Sequence, residues 1–317
     1  MQISEAAACS QAVLEALQEV IVGKTPVLQQ LLLGLYSGGN ILLEDLPGLA
    51  KTLTARLLAQ VTGLEFKRIQ FTPDLLPGDI TGGLIYHQKH GEFTFRPGPL
   101  FTNLVLADEI NRAPPKTQAA LLEVMQERQV TVEGTTYPVP RPFVVLATQN
   151  PIELEGTYPL PEAQLDRFIM RLRLGYPTAE EEQRILRRRG ARRQEQAEVR
   201  PVLTASQVQQ IQEAVEQVHV SAPIEHYIVS LTGATRQHAQ VHIGASPRGS
   251  LALYQLARAR AMVQGRDFVL PDDVKMLAQA ALAHRLLLKP ELWVRGIQAE
   301  QIINDILERT PIPKGEA

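Results

Sequence analysis

Two short segments carry the residue types that phosphate chemistry needs. In the first, residues 45–52 read DLPGLAKT, which approaches the phosphate-binding loop G-x-x-x-x-G-K-[ST]. In that pattern the lysine meets the β- and γ-phosphates of a nucleotide and the hydroxyl binds Mg²⁺. Lys51 and Thr52 supply these two groups, but Asp45 and Ala50 replace the two glycines of the pattern. The segment predicts a nucleotide site with two departures.

Both replacements are compatible with phosphate binding if the backbone φ angles at Asp45 and Ala50 are suitable. Aspartate is among the non-glycine residues that best tolerate a positive φ, so Asp45 fits if its carboxylate points away from the phosphates. We expect Ala50 to adopt a negative φ, where its methyl group adds little bulk. Gly48 is present where the backbone must approach closely. The motif alone leaves open the alternative of a fortuitous Gly-Lys turn.

The second segment, NLVLADEINRAP, ends an apolar run in Asp108 and Glu109. An acidic pair after a sheet strand lies where α/β proteins bind ligands. Asp108 is a candidate Mg²⁺ ligand. Glu109 is a candidate general base that polarises a water for attack on the γ-phosphate. The alternative, acids that only cap a helix, is weakened by the phosphate loop upstream.

Three further residues could complete such a site. Asn150, in ATQNP, is a candidate for orienting the attacking water, although asparagine before proline is also common in turns. Arg167, in EAQLDRF, and Arg248, in GASPRG, could each be an ordinary surface arginine. Together they are suited to neutralising the charge of a phosphoryl-transfer transition state.

The elements that must position these residues alternate between apolar runs and helical patterns up to Pro177. This alternation predicts an α/β fold, a mostly parallel sheet with helices on both faces. Two segments with hairpin signals interrupt it, around residues 89–91 and 133–134. The predicted strands are 40–44, 66–71, 103–108, 143–148 and 168–174.

After Pro177 the strand signals stop and helix starts recur. Thr178 with Glu181, and Thr204 with Gln207, form capping-box patterns. Ser246 precedes Pro247 as an N-cap before a first-turn proline. The chain is therefore divided into an α/β domain, residues 1–177, and an all-α domain, residues 178–317.

Composition narrows the function classes. The chain has 317 residues, 44% hydrophobic and 21% charged, with a net charge of −2. This balance gives no overall attraction to nucleic acid or to anionic membranes. Six arginines between positions 184 and 193 could form a phosphate patch, but a solvated helix face is the simpler interpretation. No apolar run reaches the roughly 18 residues of a membrane span, so we expect a cytoplasmic protein.

The motifs in this order closely resemble those of MoxR-type ATPases of the AAA+ superfamily. The resemblance rests on the phosphate loop, LADEINRAPPKTQAALLEVMQE, ATQNP, LPEAQLDRF and GASPRG, and runs from about Ile21 to about Leu288. It implies an α/β core with a helical lid, the cofactors ATP and Mg²⁺, and a homo-hexameric ring with ATP between neighbouring subunits. Loops that read LAKT are familiar in the family, so the resemblance makes Ala50 a family variant.

The resemblance also implies a role for each candidate residue. Asp108 and Thr52 would hold Mg²⁺, and Glu109 would be the catalytic base. Asn150 matches sensor 1, Arg167 the trans-acting arginine finger and Arg248 the lid arginine called sensor 2. The residues implied to contact the nucleotide are Val22, Gly23, Asp45, Pro47, Gly48, Leu49, Ala50, Lys51, Thr52 and Leu53.

The family resemblance further implies chaperone-like remodelling or maturation of client complexes, including metal insertion. The implied partner is a separate protein with a von Willebrand factor A domain. Other readings stay open: a DNA-acting motor that shares the two hairpins, a motor subunit like those of chelatases or rubisco activases, and a scaffold that binds nucleotide without hydrolysing it. The intact Lys51, Asp108, Glu109 and Asn150 argue against the scaffold.

Overall fold

A computed structural model describes residues 1–89, 91–150, 156–192, 198–293 and 296–313. The end of the arginine run, from position 193, and His90 in the first hairpin turn lie outside the described residues. The strands, in chain order, are β1 Ile41–Glu44, β2 Phe66–Gln70, β3 Gly82–His87, β4 Glu92–Pro97, β5 Leu104–Asp108, β6 Gln129–Val132, β7 Thr135–Pro138, β8 Val144–Gln149, β9 Met170–Leu172, β10 Val241–Ile243 and β11 Leu287–Leu288.

Helices surround the sheet and make up most of the second half. They are α1 Ile3–Gln18, α2 Thr25–Tyr36, α3 Lys51–Val61, α4 Pro77–Thr81, α5 Pro115–Glu127, α6 Glu162–Leu165, α7 Ala179–Arg192, α8 Ala205–Glu216, α9 Ala222–Gln237, α10 Pro247–Val263, α11 Pro271–Leu282, α12 Pro290–Trp293 and α13 Ala299–Arg309. Short 3₁₀ turns lie at Ile110–Arg112 and Ala283–Arg285. Among the described residues, no helix combines the length and the apolar character needed to cross a membrane.

The central sheet has five parallel strands in the order β2-β5-β8-β1-β9. Strands β5 and β8 are buried almost throughout, which explains their continuous apolar sequences, since a parallel strand in the middle of a sheet is covered on both faces. Strand β2 lies at an edge and exposes Lys67, Arg68 and Gln70. The predicted parallel α/β core is confirmed.

The two faces of the sheet pack against different hydrophobic clusters because successive strand residues point to opposite sides. Leu42 and Val105 belong to a cluster that includes α5 residues. Ile41 and Leu43 belong to a larger cluster that includes α1, α2, α3 and the helices after residue 200. This larger cluster joins both halves of the chain, so the packing does not mark a boundary between them. The domain boundary at 177/178 stays a prediction.

The second half is mainly helical, and its predicted caps are present. Thr178 and Glu181 bond reciprocally at 2.9 and 3.3 Å, and Ser246 Oγ accepts from the Arg248 N–H at 3.1 Å. The structure adds one feature, an antiparallel pair formed by β10 and β11. These strands have three and two residues, too short for a period-two pattern to be recognised in the sequence.

Both predicted hairpins are present, as β3–β4 and β6–β7. The first exposes apolar side chains: Tyr86 and Phe93 lie with ring centroids 5.0 Å apart and are 52% and 65% exposed. The arginines at 184 and 187–189 lie exposed on α7, consistent with a solvated helix face.

Candidate functional site

The carboxyl ends of three adjacent strands bring the predicted phosphate-binding and acidic residues to one edge of the sheet. Strand β1 runs into the loop 45–52, β5 ends at Asp108, and β8 runs into Asn150. Since β8 lies between β5 and β1, Asn150 is placed between the phosphate loop and the acidic pair. This is the edge where parallel α/β sheets bind ligands.

Asp45 points its carboxylate away from the loop. Its Oδ2 accepts a short hydrogen bond from the Leu174 N–H, and its Oδ1 accepts one of 3.2 Å from the Gly175 N–H. Asp45 is buried, and its φ is not among the positive values found in the described part of the chain. Its side chain therefore anchors the loop to the segment after β9 and leaves the phosphate side of the loop free.

The expectation for Ala50 was wrong. Ala50 has φ 58° and ψ 22°, a left-handed conformation, immediately before α3. The loop must reverse direction there so that the first N–H groups of the helix face the loop, and this requirement overrides the local preference of alanine. A left-handed alanine costs roughly 1–2 kcal/mol, so the phosphate loop stores backbone strain at this residue.

Gly48 is the loop residue for which glycine matters most. It is exposed, has φ 82°, and a Cβ atom built on it would meet no other protein atom. The open space beside it can admit a phosphate group against the backbone. Of the other predicted loop residues, Pro47 is exposed and Leu49 and Leu53 are half-buried.

Lys51 lies at the first position of α3 and folds over the loop. Its Nζ donates to the carbonyls of Asp45 at 2.6 Å and Leu46 at 3.1 Å. Burial lowers the pKa of Lys51, while the nearby carboxylates of Asp45, Asp108 and Glu109 oppose that shift. The ammonium group is thus held at the loop as a positive charge that phosphate oxygens can recruit.

Asp108 and Glu109 are fixed by a residue that sequence reasoning did not assign. Thr148 Oγ1 donates to Asp108 Oδ1 at 2.6 Å and accepts from the Glu109 N–H at 2.8 Å. Glu109 has φ 57°, so its backbone is also left-handed. Thr148 belongs to the quoted ATQNP segment, and its position on the strand beside the acidic pair was the available signal.

The edge strand β2 supplies two more missed residues. Arg68 Nε and one terminal nitrogen donate to Asp108 Oδ2 at 2.9 and 2.7 Å. Gln70 Nε2 donates to Glu109 Oε2 at 2.8 Å, and Arg112 Nε lies 3.1 Å from the same oxygen. The signal in the sequence was that Arg68 and Gln70 are two positions apart and therefore share one face of a strand. The neighbour of β2 was unknown without the sheet order.

The residues present fit a nucleotide with Mg²⁺. Thr52 Oγ1 lies 3.5 Å from Asp108 Oδ2, so a hydroxyl and a carboxylate face the same space. Among the described residues no three acidic, histidine or cysteine side chains cluster as a metal cage. The oxygens of Thr52 and Asp108 suit Mg²⁺, which is usually bound through one or two carboxylates together with substrate phosphates. In this structure Arg68 donates to Asp108 Oδ2, the oxygen that faces Thr52. A bound metal would use the same oxygen.

Val22 and Gly23 lie between α1 and α2. Gly23 has φ 75°, and a Cβ there would collide with Glu181 of α7. The next residue, Lys24, donates from Nζ to the Tyr176 carbonyl at 3.0 Å. Because Asp45 is tied to positions 174 and 175, the structure brings Val22 and Gly23 close to the segment that anchors the phosphate loop.

Arg167 and Arg248 lie at the opposite, amino edge of the sheet. The Ile169 N–H donates to the carbonyl of Asn40, just before β1, at 2.8 Å. Both arginines line a cavity of about 280 Å³ together with Gly39 and Asn40. Arg248 is exposed in the first turn of α10, and the buried Nε of Arg167 has no hydrogen-bond partner. The structure therefore separates these arginines from the phosphate loop of their own chain.

Comparisons with known proteins agree with this geometry. The family model described as "ATPase family associated with various cellular activities (AAA)" matches residues 40–170, and the AAA lid domain model matches residues 233–306. A crystal structure of a Cytophaga hutchinsonii protein superposes with a TM-score of 0.91 at 44% identity, covering 98% of this chain and 96% of that one.

Several curated relatives carry the MoxR name, including two proteins from different bacteria. The chain is 45% identical to the chaperone MoxR1 of Mycobacterium tuberculosis over 95% of its own length and 81% of that protein's. It is 30% identical to the protein MoxR of Methylorubrum extorquens over 93% of its length and 92% of that protein's. With the phosphate loop, the acidic pair and the helical lid in place, this chain belongs to the MoxR-type AAA+ ATPases.

Proposed function

We propose that this protein hydrolyses ATP with Mg²⁺ in a homo-hexameric ring in which each ATP lies between two subunits. One observation carries the proposal. The candidate nucleotide-binding residues lie at the carboxyl edge of the sheet, and Arg167 and Arg248 lie at the amino edge. Strands of four to six residues separate the two edges by roughly 13–20 Å. An arginine side chain does not reach across that distance, so one subunit cannot complete the site by itself.

Each residue at the carboxyl edge has a chemical task in this proposal. Lys51 would bind the β- and γ-phosphates, and Thr52 and Asp108 would hold the metal. When bound, Mg²⁺ would neutralise charge on the phosphate oxygens. Glu109 accepts a proton from the attacking water, which Asn150 orients. Glu109 must first exchange its contacts with Gln70 and Arg112 for the water.

The arginines act on the ATP of the neighbouring subunit. Positive charge near the transferring phosphoryl group stabilises the transition state and is worth roughly 10³–10⁵ in rate. The partnerless Nε of Arg167 and the exposed position of Arg248 support this role. Arg248 is exposed and Arg167 is half-buried on the side of the molecule that would face a neighbour.

ATP hydrolysis would drive chaperone-like remodelling or maturation of client protein complexes, with a partner that carries a von Willebrand factor A domain. The relative named chaperone MoxR1 supports the chaperone role. The exposed Tyr86 and Phe93 on the β3–β4 hairpin are the candidate apolar contact for a client. The net charge of −2 disfavours the alternative of a DNA motor.

A first experiment tests the enzyme. Fluorescent-nucleotide titration and phosphate release with Mg²⁺ and ATP are measured for the unmodified protein and for Lys51→Ala. We expect binding and turnover that Lys51→Ala removes. Absence of nucleotide binding by the unmodified protein would refute the proposal.

A second experiment tests the shared site by mixing two inactive variants, Lys51→Ala and Arg167→Ala. A mixed ring pairs an intact phosphate loop in one subunit with an intact Arg167 in the next, so part of the activity should return. Sedimentation with ATP reports whether rings form. A monomer that hydrolyses ATP at the full rate, or mixed rings that stay inactive, would refute the shared site.

A further inference from the structure

The segment that carries Arg167 is attached to the lid by a partly buried cluster of polar side chains. Its members are Asp166, Ser246, His284 and Arg285. Arg285 lies in the 3₁₀ turn Ala283–Arg285, and Ser246 caps α10, the helix whose first turn contains Arg248. None of these four residues lies at the carboxyl edge of the sheet, where the candidate nucleotide site is. The roles proposed for residues at that edge therefore do not account for this cluster.

Arg285 holds the backbone on both sides of Arg167. One terminal nitrogen donates to the Asp166 carbonyl at 2.6 Å and also makes a short ion pair with Asp166 Oδ1. The other donates to the Phe168 carbonyl at 2.6 Å. The side chain of Arg285 is 2% exposed, and its Nε donates to the Ala281 carbonyl at 2.7 Å. A single guanidinium therefore fixes the residues before and after Arg167.

Asp166 extends the connection to Arg248. Its second oxygen, Oδ2, accepts a hydrogen bond of 2.8 Å from Ser246 Oγ. The same Ser246 oxygen accepts the N–H of Arg248 at 3.1 Å. The Asp166 carboxylate thus lies between Arg167 and Arg248. Asp166 directly precedes Arg167 in the chain, and it is linked to Arg248 through the Ser246 hydroxyl.

We propose that Asp166 and Arg285 are positioning residues that hold Arg167 and Arg248 as one rigid unit, presented together to the ATP of the neighbouring subunit. The inference rests on the proposed shared site and names the residues that organise its arginine side. It implies that the lid and the Arg167 segment move together, so that both arginines reach or leave the neighbour's phosphates in one step.

Geometry requires such a connection. A transition-state contact depends on placement to within about 1 Å, and a misplacement of that size can cost about 10²-fold in rate. Arg167 lies just before the short strand β9, and Arg248 lies on a helix of the other half of the chain. Without a direct bond between these elements, small lid displacements would change the separation of the two charges.

The test is Arg285→Gln, which removes the charge and the double contact. We expect turnover to fall about 10²-fold while fluorescent-nucleotide affinity is unchanged. The matched control is Arg266→Gln, because Arg266 makes a similar two-pronged ion pair with buried Asp273 inside the lid, at 2.7 and 2.9 Å. The control should keep its turnover, since that pair contacts neither Arg167 nor Arg248. Thermal unfolding of both variants shows whether each remains folded.

Mixed rings then identify the side of the site on which Arg285 acts. Arg285→Gln mixed with Lys51→Ala should regain activity, because the Lys51→Ala subunit still offers properly placed arginines. Arg285→Gln mixed with Arg167→Ala should regain none, because neither subunit offers them. A subunit that is inactive because it is misfolded would not regain activity with Lys51→Ala while staying inactive with Arg167→Ala.

The outcomes separate the inference from the proposed function. If Lys51→Ala and Arg167→Ala do not complement each other in mixed rings, the shared site fails and this inference fails with it. The Lys51→Ala and Arg167→Ala pair can instead complement each other as expected. In that case, only the positioning role is overturned if Arg285→Gln regains activity with Arg167→Ala, or if it regains none with either variant.

Ser246→Ala and Ser246→Thr provide a second variant pair on the lid side. Ser246→Ala removes the hydroxyl that joins Asp166 to α10 and should lower turnover without changing nucleotide affinity. Ser246→Thr keeps the hydroxyl and should restore turnover. Equal turnover in Ser246→Ala and the unmodified protein would overturn the link to Arg248.

Discussion

The hydroxyl of Thr148 donates a hydrogen bond of 2.6 Å to Asp108 Oδ1. The same hydroxyl accepts the N–H of Glu109, whose left-handed backbone turns the chain sharply at the end of β5. Thr148 is 1% exposed, so no solvent competes for these bonds. One side chain on β8 thus holds both the Asp108 carboxylate and the backbone of Glu109.

Thr148→Val should impair catalysis and stability together. Valine has nearly the same shape but leaves the Glu109 N–H without an acceptor, which costs roughly 1–3 kcal/mol. Displacement of the carboxylates should lower turnover by about 10²-fold. Urea unfolding and steady-state phosphate release measure the two effects. Thr148→Ser, which keeps the hydroxyl, should recover most of both, and an active, stable Thr148→Val would contradict the role of this bond.

Glu109→Gln should retain ATP affinity and lose turnover. The amide keeps the size and hydrogen-bonding reach of the carboxylate but cannot accept the proton of the attacking water. Nucleotide titration together with single-turnover phosphate release separates the two steps. An active Glu109→Gln enzyme would remove Glu109 from the general-base role. Gln70→Ala is a useful companion, because it removes one of the two contacts of Glu109 Oε2, leaves the Arg112 ion pair in place and does not change the basic group.

Ala50→Gly should stabilise the protein. The left-handed conformation at Ala50 costs roughly 1–2 kcal/mol, and glycine removes that strain while losing roughly 0.5–1 kcal/mol through its freer unfolded chain. The expected net gain in the free energy of unfolding is therefore between about zero and about 1.5 kcal/mol. The matched control is Ala59→Gly inside α3, which should cost at least about 1 kcal/mol. A loss of stability in Ala50→Gly would show that the loop does not store strain there.

His284 should make the protein less stable in mild acid. Burial, and then the charges of Arg285 and Arg171, lower the pKa of His284 well below its usual value. The Phe168 carbonyl can only accept, so the His284 Nε2 at 3.1 Å carries the proton of a neutral ring. In the unfolded chain the histidine binds a proton near its ordinary pKa of about 6.5, so stability falls as pH drops below that value, by up to about 1.4 kcal/mol per pH unit.

The comparison of urea unfolding at pH 7.5 and 5.5 checks this linkage. His284→Gln should lose part of the acid sensitivity, because glutamine can still donate to the Phe168 carbonyl but does not titrate. His226→Gln serves as the control, since His226 is exposed on α9. If the pH dependence of unfolding is the same in all three proteins, His284 does not contribute to it.

Local patterns along the chain determined the elements and the identity of most of the site. The continuous apolar runs of β5 and β8, the capping boxes at Thr178 and Thr204, and the Gly-x-Ala-Lys-Thr segment each depend on neighbours within a few residues. Such signals are readable because strand periodicity, helix capping and a strand-loop-helix phosphate site are short-range features. The order of motifs also indicated the MoxR-type AAA+ family before the fold was known.

The tertiary structure decided what depends on distant parts of the chain. The Asp45 carboxylate turns away from the loop because N–H groups at positions 174 and 175 attract it, and Ala50 takes a left-handed backbone because the loop must close onto α3. Arg68, Gln70 and Thr148 reach the acidic pair only through the strand order. Asp166 and Arg285 meet because the lid packs on the amino edge of the sheet. These pairings lie between roughly 40 and 130 residues apart, where sequence periodicity carries no information.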